Sequence, residues 1–127
     1  MLKMVMIVGC GGAGSALRYA LAGWGQRFGN GTFPLGTLLV NVLGCLLIGL
    51  LAAAFNGPFL IREEYRVAIL VGLLGGFTTF SAFAWETLTL ATDGQWARAA
   101  ANILLSNGLG LLAAWLGYRV ALKAFGV

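Results

Sequence analysis

The stretch from Val71 to Glu86, Val-Gly-Leu-Leu-Gly-Gly-Phe-Thr-Thr-Phe-Ser-Ala-Phe-Ala-Trp-Glu, constrains this chain more than any other. It is apolar enough for a membrane yet poorly made for a continuous helix. Gly72, Gly75 and Gly76 each carry a helix penalty, and the β-branched pair Thr78-Thr79 follows at once. A helix opened inside hydrocarbon leaves peptide groups without partners, and only protein, an ion or a water-filled cavity can supply them. Two readings follow. The glycines can serve helix packing alone. The other reading is a site, and it is favoured because packing has no use for the hydroxyls of Thr78, Thr79 and Ser81 interleaved with the rings of Phe80 and Phe83.

Composition agrees with a lipid setting: 60% of the 127 residues are hydrophobic and 9% charged, where a soluble domain carries about 25%. The mean hydropathy is +0.91. A net charge of +4 could suggest nucleic acid, but the eight cations are scattered between apolar segments and read as membrane-edge anchors. Without histidine the chain lacks the usual general base and the commonest metal ligand. Cys10 and Cys45 sit singly in apolar sequence and read as small hydrophobes. No nucleophile, base and orienting group can be assembled, so an enzyme is not expected.

The pattern predicts an all-α membrane protein of one domain with four transmembrane helices, over about residues 4–26, 34–55, 67–91 and 97–119, the third broken near 75–79. An apolar run after Lys3 also fits a secretory signal, but it continues past the length of a signal core without a convincing cleavage site. Gly9 to Gly14 satisfies GxGxxG, yet no acidic residue occurs before Glu63, so a nucleotide site is not expected. Gly11, Gly14 and Ser15 offer instead a narrow face for close helix contact. Asn30-Gly31-Thr32 is turn sequence and a glycosylation sequon, expected to be silent at a membrane edge. Pro34 suits the first turn of helix 2, and Asn56-Gly57-Pro58 stops it.

Polar residues inside these spans are the candidates for function. Thr37, Asn41 and Cys45 stand four apart on one face of helix 2. Asn41 is either interhelical glue or a pore donor. Arg18 either snorkels to the interface or fixes a positive charge at the mouth of an anion pathway. Glu86 either faces water at a pore entrance or marks the interface. Asn102, Ser106 and Gly110 form a polar ribbon on helix 4, while Asn107, one residue off that line, is expected to face a neighbouring helix.

Four spans leave both termini on one side, with Lys3, Arg62, Arg66, Arg119 and Lys123 against Arg18, Arg27 and Arg98 on the other. Five cations against three is little bias, so the chain can insert both ways. Four short helices do not easily enclose an aqueous route, so a second copy is expected, and dual insertion would make that pair antiparallel.

Three segments resemble a known family: Gly-Ala-Gly-Ser-Ala-Leu-Arg18-Tyr in helix 1, Gly36-Thr37-Leu-Leu-Val-Asn41-Val-Leu-Gly44 in helix 2, and Gly75-Gly76-Phe-Thr78-Thr79-Phe80-Ser81-Ala-Phe83 in helix 3. They are similar to the Fluc (CrcB) fluoride channels. The resemblance implies a multi-pass protein of the bacterial inner membrane that exports fluoride passively. It also implies an antiparallel dual-topology homodimer with two pores and a structural sodium ion at its centre. Asn41 would be the pore-facing amide, Phe80 and Phe83 the aromatic boxes, and the carbonyls of Gly75 and Thr78 from each copy the sodium ligands. Ser106, Thr79, Ser81, Thr37, Asn102, Arg18 and Glu86 complete the candidate fluoride route. Helix 4 departs from the family pattern, which often has Tyr at Asn102 and Ser at Gly110, while Ser106 matches. Two other classes compete. A small proton-coupled multidrug transporter would need a membrane carboxylate, for which Glu86 is the available residue. A membrane scaffold would use the glycines for assembly only.

Overall fold

Segments rich in Leu, Ala, Val and Ile build four helical passes long and apolar enough to cross a membrane, Leu2–Gln26, Leu35–Asn56, Glu63–Thr92 and Trp96–Phe125. The computed structural model describes residues 1–57 and 59–126. Pro58, expected to help stop helix 2, lies outside the described residues. The first two passes are α1 (Leu2–Gln26) and α2 (Leu35–Asn56). The third contains α3 (Glu63–Val67), a wider π-helical stretch (Ala68–Leu73), α4 (Leu74–Phe77) and α5 (Phe80–Thr92). The last is α6 (Trp96–Phe125).

Turn chemistry shapes two of the connections between passes. Gln26 closes the first connection: its Nε2 donates to the Phe33 carbonyl at 2.9 Å, and its Oε1 accepts the Gly36 amide at 3.1 Å. That second bond satisfies a first-turn amide of α2 that has no partner within its own helix. Between α5 and α6 the chain turns at Gly94, whose φ of +75° is open to glycine at little cost.

Close approach of backbones sets the packing. α2 and α6 run against each other most extensively. A methyl at Gly49 would overlap the Ala114 carbonyl, and one at Gly117 the Leu46 carbonyl. α1 packs on the third pass in the same manner, with Gly14 against the Leu73 carbonyl and Gly76 against the Gly11 carbonyl. With lipid on the outside, tight van der Waals contact of this kind takes the place of a hydrophobic driving force. Gly117→Val is therefore expected to lower stability by about 1–3 kcal/mol. Gly23→Ala, whose methyl would meet nothing within 4 Å, should not lower it and is expected to raise it by up to about 1 kcal/mol. Melting in detergent checks both.

Candidate functional site

Helical dihedrals stop at two residues in the middle of the third pass. Thr78 (φ −88°, ψ 160°) and Thr79 (φ −152°, ψ 119°) are extended, while Gly75 and Gly76 remain within α4. The departure falls on the β-branched pair rather than on the glycines. The Leu74 carbonyl accepts both the Thr78 amide and the Thr78 hydroxyl, each at 3.0 Å. In a continuous helix the Thr79 amide would bond the Gly75 carbonyl. Here it donates to Asn41 Oδ1 at 2.8 Å, and Asn41 Nδ2 donates back to the Thr79 carbonyl at 2.9 Å. One side chain thus replaces the bond that the Thr79 amide has lost and adds a donor to the carbonyl that opens the α5 ladder. Of the two readings of Asn41, the interhelical bond is present, and it uses one of the two Nδ2 hydrogens. The Thr79 hydroxyl then caps α5 by accepting the Ala82 amide at 3.1 Å, with Ser81 Oγ 3.3 Å away.

Around this junction lies a cavity of about 330 Å³ walled by Asn41, Thr79, Phe80, Phe83, Ser106 and Asn107, among other residues, and no charged side chain among the described residues lines it. The rings of Phe80 and Phe83 are 5.3 Å apart between centroids and tilted by 47°. Their exposure differs sharply: Phe83 is 9% exposed, Phe80 77%. Phenyl rings present electropositive edges, so such a wall can contact an anion without a formal charge.

Arg18 and the Thr37–Glu86 pair line other cavities, although Arg18 reaches the same junction. Arg18 turns inward, Nη1 donating to the Thr78 carbonyl at 3.3 Å, and lines a second cavity of about 950 Å³ with Ser15, Tyr19, Trp24 and Arg27. Thr37 donates to Glu86 Oε1 at 2.6 Å. Glu86 Oε2 is buried without a hydrogen-bond partner among the described residues. A third cavity, about 610 Å³, contains this pair with Gln26, Asp93 and Gln95.

On α6 the polar ribbon divides. Asn102, 2% exposed, donates from Nδ2 to Thr87 Oγ1 at 2.9 Å and accepts from Ser106 Oγ at 3.3 Å. Thr87 in turn donates to the Phe83 carbonyl at 2.7 Å. Asn102 therefore ties α6 to α5 rather than facing the cavity. Thr87 was missed by the sequence reading; its only local signal was its place one turn after Phe83. Asn107, expected to reach a neighbouring helix, instead donates to the Ile103 carbonyl of its own helix at 2.8 Å. Five residues beyond Asn102 is about 140° around the helix, which carries Asn107 away from the α5 contact.

A family model described as CrcB-like protein, Camphor Resistance (CrcB), matches residues 5–118. The chain belongs to the CrcB family. The resemblance carried by the motifs of helices 1 to 3 is thereby borne out. Curated relatives include one from Geobacter metallireducens, 45% identical over 121 residues, covering 95% of this chain and 98% of the relative. Another, from Methylobacillus flagellatus, is 47% identical and covers 94% of each chain. A third, from Opitutus terrae, is 44% identical, covering 94% and 93%. All three are named "Fluoride-specific ion channel FluC". With four passes of membrane length, this CrcB protein is a multi-pass membrane protein.

Two backbone oxygens at the junction have the character of hard-cation ligands. The Gly75 carbonyl has lost its helical donor to Asn41, and Gly75 lies on the exposed surface. The Thr78 carbonyl accepts one bond at 3.3 Å from Arg18, which leaves a lone pair available.

Proposed function

We propose that the protein is a passive, fluoride-selective channel that lets cytoplasmic fluoride leave across a bacterial inner membrane, working as an antiparallel dual-topology homodimer with two pores. The observation that carries this reading is the uncharged cavity at the Thr78–Thr79 junction, whose wall brings together amide, hydroxyl and aromatic side chains. Fluoride is small and strongly hydrated. A route must replace its water with donors, yet a full positive charge would hold the ion too tightly for it to leave. The names of the relatives support the choice of ion. A passive anion path is sufficient for export, because each 100 mV of interior-negative potential favours expulsion by about 2.3 kcal/mol, roughly fiftyfold in concentration.

The unfinished edge of the cavity supports a second copy. Phe80 is 77% exposed and Gly75 lies open beside it, and a partner packed there would complete the wall. Two such chains would bring four carbonyls together, from Gly75 and Thr78 of each, and these would hold the sodium ion. The ion would supply positive charge that satisfies the released carbonyls and locks the pair. The proton-coupled transporter is not favoured. Its carboxylate, Glu86, is bonded to Thr37 and lines a different cavity.

Purified protein in liposomes, followed with a fluoride electrode, is expected to release fluoride rapidly and chloride negligibly. Comparable chloride release, or release of neither ion, would refute the reading.

A further inference from the structure

Asn107 is a polar side chain in an expensive place that the proposed route has not absorbed. It lies eleven residues from Trp96 on a 30-residue helix, about 17 Å along the axis and so near the middle of about 30 Å of hydrocarbon. An amide at that depth is costly unless it faces protein, water or a ligand. Its bond to the Ile103 carbonyl occupies one amide hydrogen. That leaves a second N–H to donate. The residue is exposed in the single chain and forms part of the same cavity wall as Asn41, Phe80, Phe83 and Ser106.

The other α6 donors are already spent. Asn102 is 2% exposed and engaged by Thr87 and Ser106. The Ser106 hydroxyl has given its only hydrogen to Asn102. Gly110 has no side chain to offer. Resting on the reading of this cavity as a fluoride route, we infer that Asn107 is the hydrogen-bond donor that α6 contributes to the passing ion, working with Asn41 of α2. The buried Asn102–Thr87 pair acts at one remove: it fixes α6 against α5 and so sets the angle at which Asn107 meets the cavity.

The test compares wild type, Asn107→Leu and Asn107→Ser by electrode-monitored efflux from liposomes, with the dimer content of each preparation measured by cross-linking. The leucine variant raises helix propensity and removes the donor. Its fluoride efflux per dimer is expected to fall roughly 10- to 100-fold, the range set by losing one hydrogen bond to a charged group. The serine variant restores a donor and is expected to recover most of that loss. Dimer content should be equal in all three. Wild-type efflux that is fluoride-selective and unchanged in Asn107→Leu overturns the inference and leaves the channel reading intact. Loss of efflux that tracks loss of dimer, without rescue by serine, also overturns it and makes Asn107 a subunit contact. A wild type that conducts no fluoride removes the channel reading and the inference with it.

Discussion

Replacing Asn41 by leucine is expected to abolish fluoride efflux and to lower the melting temperature of the protein. Two backbone groups depend on this side chain, the Thr79 amide at 2.8 Å and the Thr79 carbonyl at 2.9 Å. Leucine would leave the amide unpaired at membrane depth, while the carbonyl keeps the first bond of the α5 ladder, so destabilisation of about 1–3 kcal/mol is expected. Conduction should be lost as well, because Asn41 also lines the cavity and the dihedrals at Thr79 that start α5 rest on it. Asn41→Asp separates the two contributions. It keeps the acceptor for the Thr79 amide, but when ionised it loses the donor and adds a negative charge to an anion path. Efflux is expected to fall at least 100-fold with a smaller drop in melting temperature. An Asn41→Leu protein that melts and conducts like wild type would remove Asn41 from both roles.

What was legible in the sequence followed from local chemistry. Helix penalties at Gly72, Gly75 and Gly76 followed by Thr78-Thr79 mark where the ladder is weakest, and the dihedrals depart from helical at the two threonines. Passes of sufficient length and hydropathy were equally plain, as was the family, since its motifs are contiguous strings. Partners across helices were not. Asn41 meets Thr79 across 38 residues of sequence, and Asn102 meets Thr87 across 15. Periodicity places a residue on a face without saying which helix that face meets. The rotation of α6 is settled by the close approach of Gly49 and Gly117 between α2 and α6, a property of the packed bundle. That rotation buries Asn102 and exposes Asn107, reversing the priority a polar ribbon suggests.

Phe80→Ile and Phe83→Ile are expected to reduce fluoride efflux by at least tenfold, yet to differ in what they do to the protomer. Isoleucine retains apolar bulk while deleting the ring's electropositive edge, so a route that depends on edge contact loses it without being opened to water. Phe83 is 9% exposed and its carbonyl receives Thr87, so its ring is part of the packed core. Shrinking it should cost about 1–3 kcal/mol of stability. Phe80 is 77% exposed in the protomer, and its replacement should leave the melting temperature of a dissociated chain unchanged. If a second copy covers Phe80, only the dimer's stability responds. Efflux and melting therefore separate the two rings: loss of flux with unaltered melting at Phe80 identifies a contact with the ion. A Phe80→Ile channel that conducts like wild type would mean that the ion does not pass the rings, and the uncharged cavity would then be a packing defect rather than a pore wall.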